Sequence, residues 1–224
     1  MNVVLFGATG MVGQGALREC LRDTRVERVL TVGRAVTGVQ HPKLRELVHP
    51  DLLQYASIEA DLAGFDACLF CLGVSSAGMT EDAYTRVTYG IAMAAAQTLV
   101  RLNPAMTFVF VSGAGADSSE RGRSTWARIK GKTENALLRL PFKAVYVFRP
   151  AYIQPMHGER SRTPAYRLIY ALGRPLVPLL RRLWPGAFTT TERLGRAMIA
   201  VAASGAPSDM PSHILTVRDI NALA

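Results

Sequence analysis

The sequence predicts an α/β protein built as a doubly wound parallel sheet, and three observations support this. Apolar, β-branched runs alternate with longer segments of helical period. These runs are hydrophobic throughout, which is typical of strands covered by helices on both faces. A glycine-rich turn joins the first strand to the first helix. With 224 residues and no break in composition, the chain is expected to form a single domain, 1–224.

The predicted elements follow one another in a βαβ order. They are the strand VVLF, the helix MVGQGALRECLRD, the strands VERVLTVG, LRELVH and FDACLFCLG, the helix EDAYTRVTYGIAMAAAQTLVRL, the strand AMTFVFVSG, a helix holding Trp126 and Lys130, and the strand FKAVYVFRP. After Pro150 the chain becomes rich in proline and arginine and then reads TTTERLGRAMIAVAASG, a helical pattern. We therefore expect residues 151–224 to add a small, basic, helical cap on the substrate side.

Composition excludes several classes of protein. Hydrophobic residues make up 49% and charged residues 19%, so the chain has enough apolar surface to fold. No apolar run reaches the roughly 18 residues of a membrane-spanning helix, and MNVVLFGATG is read as a core strand instead of a signal peptide. The net charge of +9 suits an anionic ligand, nucleic acid or an acidic lipid surface and does not choose among them.

The three cysteines are scattered along the chain, which indicates a reducing compartment and predicts a cytoplasmic protein. Cys68 and Cys71 form a C-x-x-C, but they lie on an apolar strand, where positions three apart point to opposite faces. Buried strand cysteines are therefore favoured over a redox pair. The four histidines have no metal-ligand spacing, so no metal site is expected.

The first strand leads into GATGMVG, in which the glycines have the spacing G-x-x-G-x-x-G. Such glycines let the backbone turn tightly and approach a pyrophosphate, whose charge the helix N-terminus favours. The position between a strand and a helix is the context that this motif requires. The loop is predicted to bind a dinucleotide through Gly7, Ala8, Thr9, Gly10, Met11, Val12 and Gly13. A tight turn without a ligand is the alternative.

The second strand ends in VLTVGR, at the position where an acidic residue would bind the ribose 2′-hydroxyl of NAD. Arg34 stands there instead, and a guanidinium can pair with a 2′-phosphate. The sequence therefore predicts NADP(H) in preference to NAD(H). An arginine merely solvated at a strand end is the alternative.

Six segments occur together in a familiar order: GATGMVG, GR, CLGVS, FVSGAGAD, WARIKGKTE and FRPAYI. With them the chain resembles the atypical or extended short-chain dehydrogenase/reductase superfamily, in particular its Tat-interacting-protein-like and NAD-dependent epimerase/dehydratase-like members. The resemblance covers nearly the whole chain and implies a Rossmann fold. It also implies that the cofactor site includes Asp51, Leu52, Leu72, Gly73, Lys130, Pro150 and Ile153. Asp51 has a second interpretation, as the cap of a short helix in PDLLQYA.

In this superfamily a serine, a tyrosine and a lysine form the active site, the last two spaced Y-x-x-x-K. The tyrosine is the acid and base, and a lysine one helical turn away favours its phenolate. The resemblance assigns the serine to Ser112 and the lysine to Lys130, but Trp126 stands in the tyrosine position, and an indole cannot exchange the proton. Taken without the resemblance, Ser112 also fits a turn residue and Lys130 an exposed lysine.

Other tyrosines can be considered as replacements for the missing phenol. Tyr84 and Tyr89 follow the fourth strand, and Tyr152 follows the sixth. Tyr152 is the best placed because ligands of such sheets bind at the carboxyl ends of the strands. Core packing is the alternative for each of them.

Residues 160–184 mix arginines with apolar side chains, which suits a cap over the substrate, a peripheral contact with anionic lipid or a partner surface. The cap is preferred because the family builds its substrate pocket there, and the arginines suit an anionic small-molecule substrate. No nucleic-acid partner is expected. The resemblance is compatible with a homodimer.

Two functions follow from these observations. The first is an NADP(H)-dependent oxidoreductase or epimerase-like enzyme that acts on a small carbonyl, hydroxyl or sugar compound, with Ser112, Lys130 and Tyr152 as candidate catalytic residues. The second is a noncatalytic NADP(H)-binding redox sensor or scaffold, which Trp126 favours.

Overall fold

The computed structural model describes residues 1–159, 185–207 and 212–224. Its strands are β1 (Asn2–Phe6), β2 (Arg28–Gly33), β3 (Leu44–Val48), β4 (Ala67–Phe70), β5 (Thr107–Val111), β6 (Ala144–Phe148), β7 (Tyr152–Gln154), β8 (Phe188–Thr190) and β9 (Ile214–Leu215). Its helices are α1 (Met11–Arg22), α2 (Glu81–Thr85), α3 (Ile91–Leu102), α4 (Thr125–Leu138), α5 (Thr191–Ser204) and α6 (Val217–Ala222). A single π turn, Arg86–Gly90, joins α2 to α3.

The main sheet is parallel and has the strand order β3-β2-β1-β4-β5-β6-β9 across the described residues. The order reverses between β1 and β4, which is the position where doubly wound sheets bind their ligands. The predicted fold class is therefore confirmed. Within the described ranges no helix is both long and apolar enough to cross a membrane.

Hydrophobic clusters cover both faces of the sheet because the strands are apolar throughout. Cys68 belongs to the cluster on one face, and Cys71 packs against the cluster on the other, as the strand spacing predicts. Burial raises the pKa of both thiols, that of Cys71 to about 12, so neither favours the thiolate on which redox chemistry depends. The structure thus supports buried structural cysteines.

Helix α1 packs closely on α5, although about 180 residues separate them. A Cβ on Gly15 would lie 2.7 Å from the Cβ of Thr191, so only glycine permits this approach. Arg196 on α5 donates from Nε to Glu19 on α1 at 3.1 Å. The helix that follows the glycine loop is therefore fixed in place by a distant segment.

The described part of 151–224 contains the helix predicted from TTTERLGRAMIAVAASG, which is α5, together with strands that were not predicted. It contains a separate two-stranded sheet of β7 and β8, and β9 joins the edge of the main sheet. Helix α6 is tied to this small sheet because Asn221 donates to the carbonyl of Phe188 and accepts from Thr189, both at 2.9 Å. These strands are only two or three residues long and show no period that the sequence could reveal. The predicted basic cap segment, 160–184, lies outside the described residues.

Candidate cofactor site and active site

The glycine loop is shaped by contacts that leave no room for side chains. Gly7 has φ +81°, in the region that favours glycine, and a Cβ there would lie 2.8 Å from the backbone of Cys71 and Leu72. A Cβ on Gly13 would lie 2.1 Å from the carbonyl oxygen of Gly7. The amide of Gly10 donates to that same oxygen at 2.9 Å, and α1 begins at the next residue without a side-chain cap. Its free amides and positive dipole end suit a pyrophosphate.

A cavity at the switch point brings together many of the predicted cofactor residues. Six predicted residues line it, together with four that were not predicted: Gly7, Ala8, Thr9, Arg34, Leu52 and Leu72, and then Thr31, Val32, Gly33 and Ala35. The cavity measures about 50 Å³, small beside the roughly 300–1,000 Å³ of small-molecule sites. A dinucleotide would therefore extend from it along the open edge of the sheet.

Arg34 is exposed at this cavity and forms no hydrogen bond or ion pair with any described residue. Asp51 is also exposed but does not line the cavity, and its carboxylate accepts from the amide of Leu53 at 2.9 Å. Asp51 thus closes a turn, and no helix begins there, contrary to the second interpretation of PDLLQYA. Arg34 is the charged side chain available to a phosphate at this position.

Five further predicted cofactor residues do not line the cavity. Met11 and Val12 pack against the core, and Ile153 is buried in it. Pro150 is buried and accepts the amide of Ala114 at 2.8 Å through its carbonyl. Gly73 is exposed with open space around its Cα. Their assignment to the cofactor stays a prediction.

Lys130 is buried, and only 6% of its surface is exposed, because its position on α4 turns it toward the sheet. Its Nζ lies 3.4 Å from the carbonyl oxygen of Val111 and 4.9 Å from the ring centre of Phe110. Burial lowers the pKa of Lys130 to about 8, and the nearby carboxylate of Glu134 opposes the shift. The structure therefore excludes an exposed lysine and places the ammonium at the end of β5, beside Ser112.

Ser112 is held by an acidic residue that sequence reasoning did not identify. Its hydroxyl donates to the carboxylate of Glu134, which is fully buried. Arg149 donates from Nε to both oxygens of the same carboxylate at 3.1 Å. The hydroxyl hydrogen of Ser112 is thereby committed, and its Oγ offers lone pairs toward the site. Glu134 lies four residues after Lys130, and this helical spacing was the signal in the sequence that could have found it.

Trp126 lies one turn before Lys130 and packs on the loop that follows Ser112. A Cβ on Gly113 would be 3.0 Å from Cζ2 of the indole. Trp126 is half-buried, so part of the ring faces solvent. The indole thus takes up space next to Ser112 and supplies no titratable group.

The three alternative tyrosines occupy different surroundings. Tyr84 is fully buried on α2, and Tyr89 lies in the π turn beneath Lys132, whose Nζ is 5.0 Å from its ring. Tyr152 lies on β7 with its ring 5.1 Å from that of Phe188, and burial raises its pKa. A raised pKa keeps the phenol of Tyr152 protonated, so Tyr152 cannot act as a base near neutral pH, and the shift does not make it a better acid. Its catalytic role stays a prediction.

No group of three or more histidine, cysteine or acidic residues suitable for a metal ion occurs in the part of the chain that the structure describes.

Solved structures of NAD-bound enzymes share this architecture. MoeE5, in complex with UDP-glucose and NAD, matches with a TM-score of 0.66 at 19% identity, over 98% of this chain and 79% of MoeE5. DesIV, the dTDP-glucose 4,6-dehydratase of Streptomyces venezuelae, matches with a TM-score of 0.65 at 18% identity, over 100% and 80% of the two chains. WbmF of Bordetella bronchiseptica, bound to NAD+ and UDP, gives 0.64 at 16% identity, over 99% and 75%. The chain therefore has the Rossmann fold of NAD-binding epimerase and dehydratase enzymes, and the resemblance inferred from its motifs is confirmed at the level of the fold.

Relatives by sequence carry names without a specific function, and no family model matches the chain. The chain is 28% identical to the mitochondrial protein FMP52-2 of Scheffersomyces stipitis over 161 residues, 70% of this chain and 67% of the relative. It is 27% identical to the mitochondrial protein fmp52 of Aspergillus clavatus over 232 residues, 98% and 96% of the two chains.

The prediction of a cytoplasmic location is wrong, because these relatives are mitochondrial proteins by name. The prediction used the scattered cysteines. Unpaired cysteines report on redox conditions and carry no targeting information, so they could not distinguish one reducing compartment from another.

Proposed function

We propose that this protein binds NADP(H) at the switch point and acts as an oxidoreductase or epimerase-like enzyme on a small hydroxyl, carbonyl or sugar-like compound. One observation carries the cofactor preference: Arg34 is exposed at the cavity that the glycine loop lines, without a partner among the described residues. An unpaired guanidinium there can bind a 2′-phosphate, which NAD lacks. The complexes of similar structures with NAD and UDP-glucose support a dinucleotide and a small-molecule substrate.

The residues around β5 support chemistry next to a nicotinamide, which would supply or accept hydride. Lys130 would hold ribose hydroxyls and Ser112 would orient the substrate oxygen. Because the hydrogen of Ser112 is donated to Glu134, its Oγ is set to accept a hydrogen bond, and this favours a substrate hydroxyl over a carbonyl. Tyr152 would donate a proton in the reverse direction.

A noncatalytic redox sensor or scaffold is the second candidate, and Trp126 is the observation that favours it. The indole occupies the space beside Gly113 and cannot exchange a proton. A sensor would bind NADPH but would not oxidise it with any compound of a panel of small carbonyls. An enzyme would consume NADPH with at least one of them.

The cofactor proposal is tested by calorimetric titration of the protein with NADPH and NADH, for wild type and Arg34→Ala. Loss of charge-assisted hydrogen bonds should weaken NADPH binding by about tenfold or more, and NADH should bind both proteins equally. Arg45→Ala is the matched control, since Arg45 is an exposed arginine on β3 that pairs with Asp61. Equal NADPH affinity of Arg34→Ala and wild type would disprove the preference for NADP(H).

A further inference from the structure

A second and larger cavity lies along α1, outside the site described above. It measures about 620 Å³, within the roughly 300–1,000 Å³ typical of small-molecule sites. One wall is α1, and the opposite wall is the connection from β2 to β3. Connections between parallel strands usually contain a helix, but residues 34–43, all described, contain none. This side of α1 is therefore open, and we name the cavity the α1 cleft.

The α1 cleft has apolar walls. Leu17 and Leu21 lie one turn apart on α1 and face the cavity. Opposite them, Val36 and Val39 are 58% and 44% exposed. Leu17 is already buried, but the two valines expose apolar surface to the slot, and a hydrocarbon group that fills the slot removes this surface from water.

The rim of the α1 cleft is basic. Arg18 and Arg22 lie one turn apart on α1, and Arg18 pairs with Glu19. Arg22 is exposed and forms no ion pair with any described residue. His41 accepts the amide of Lys43 at Nδ1, 3.2 Å away, which leaves its Nε2 available. Two groups at one end of the slot can therefore donate to an anion.

The other end of the α1 cleft carries a histidine and a carboxylate. His157 pairs with Glu192 at 3.0 Å. Glu159 accepts the amides of Met156 and His157 at 3.0 and 2.7 Å through one oxygen, and its other oxygen is buried without a partner among the described residues. This carboxylate is bound to the backbone of its own loop, so it does not occupy the Arg22 end of the slot. An anion can therefore enter at that end.

We propose that the α1 cleft binds a single-chain amphipathic anion, with the hydrocarbon chain between the leucines of α1 and the two valines, and a carboxylate or phosphate head at Arg22 and His41. The apolar slot and the two hydrogen-bond donors next to it, the Arg22 guanidinium and Nε2 of His41, together define this ligand class. The cleft shares Ala8 and Thr9 with the cofactor cavity but extends away from it along α1. The ligand is therefore distinct from the dinucleotide.

The test is calorimetric titration of the full chain with decanoate and with decyl phosphate, each below its micelle concentration, and with uncharged decanol. We expect saturable binding of one anion per chain, with decanol weaker by about tenfold because it makes no charge-assisted hydrogen bond. Similar affinities for decanoate and decyl phosphate would mean that charge alone is recognised; a clear preference would identify the head group. Either result supports the proposal.

Matched variants locate the binding. Arg22→Gln should weaken decanoate by about tenfold, and Val39→Ser by about threefold for the lost apolar contact. The controls are Arg101→Gln, which removes an exposed charge that pairs with Glu59, and Val48→Ser, which removes a 52% exposed valine on β3. Neither control should change the affinity.

Three results would overturn the proposal. These are the absence of saturable binding to folded wild-type protein, equal losses in Arg22→Gln and Arg101→Gln, and complete displacement of decanoate by NADPH. The last result would place the anion in the cofactor cavity. None of these tests depends on the proposed enzyme function, because the α1 cleft is titrated without a substrate.

Discussion

The glycine loop and the α4 region around Ser112 lie at the same edge of the sheet, but different kinds of contact hold them. Backbone atoms shape the loop, since a Cβ on Gly7 or Gly13 would meet neighbouring backbone. Side chains shape the α4 region, where Ser112, Glu134 and Arg149 form one chain of contacts. A backbone-built site tolerates no side chain where backbone atoms already meet, whereas a side-chain-built site can change its chemistry by one substitution.

The largest effect is expected from Gly13→Ala. Its Cβ would lie 2.1 Å from the Gly7 carbonyl oxygen, so the loop or α1 must move, at a cost of about 1–3 kcal/mol or more, and NADPH binding should be lost. Thermal unfolding and NADPH titration measure both effects. Gly10→Ala is the control because the nearest atom to its Cβ is 3.4 Å away. Wild-type stability and affinity in Gly13→Ala would show that the loop is not fixed by its backbone.

Glu134→Ala should cost a comparable amount of stability, through side chains alone. It leaves Arg149 and Ser112 without their shared acceptor, and breaking a buried pair costs about 3 kcal/mol or more. Urea unfolding measures the loss. Asp61→Ala, which breaks the exposed pair with Arg45, should cost about 1 kcal/mol or less. Comparable losses in the two variants would mean that the buried pair contributes no more to stability than the exposed pair does.

Lys130→Met should stabilise the protein, unlike the two variants above. The pKa of Lys130 is about 8 in the folded protein against 10.5 for an ordinary lysine. Below pH 8 the folded protein therefore keeps a charge on Lys130 that burial makes unfavourable. That penalty fades as the pH rises from 8 to 10.5, because the folded state loses its proton first. Methionine should therefore stabilise the protein by up to about 3 kcal/mol at pH 7 and by little at pH 10.5, while NADPH binding weakens.

Urea unfolding at the two pH values measures this difference, with Lys132→Met as the control, because Lys132 is exposed on the same helix. A gain in Lys130→Met that does not change with pH would show that the buried charge is not its cause.

Trp126→Tyr should change stability least. It places a phenol one turn before Lys130 and should leave the affinity for NADPH within about twofold, since Trp126 does not line the cofactor cavity. Oxidation of NADPH with a carbonyl panel should rise by at least about tenfold if the missing acid and base limits turnover. Trp126→Phe removes the indole without adding a hydroxyl. Equal activity of the two variants would exclude the phenol as the cause.

The same contrast explains what the sequence could predict. The sheet order and the glycine loop follow from local patterns: apolar runs, helical period and glycine spacing. Six residues of the cofactor set predicted from such patterns or by resemblance line the cavity. Lys130 lies in the basic run RIKGK, so the local pattern alone also allowed an exposed lysine. Only its packing against β5 showed that it is buried.

Contacts between distant segments were not predictable from local patterns. The pair of Glu134 with Arg149 joins α4 to the end of β6, and although the two residues lie in the recognised segments WARIKGKTE and FRPAYI, no local pattern shows that they pair. The strands β7, β8 and β9 are too short to show a period, so they exist only because neighbouring backbone pairs with them. The α1 cleft depends on the absence of a helix between β2 and β3, which the consecutive strand patterns VERVLTVG and LRELVH predicted, but the cavity between this connection and α1 was not predictable.

The packing of α1 on α5 has a consequence for the order of folding. Thr191, Gly195 and Arg196, which pack on α1, are made long after the glycine loop and α1. Contacts of such high sequence separation slow folding and are completed late. During synthesis the inner face of α1 is therefore covered only after α5 has been made. If the proposed dinucleotide binding needs this packing, a chain terminated before α5 would lack it.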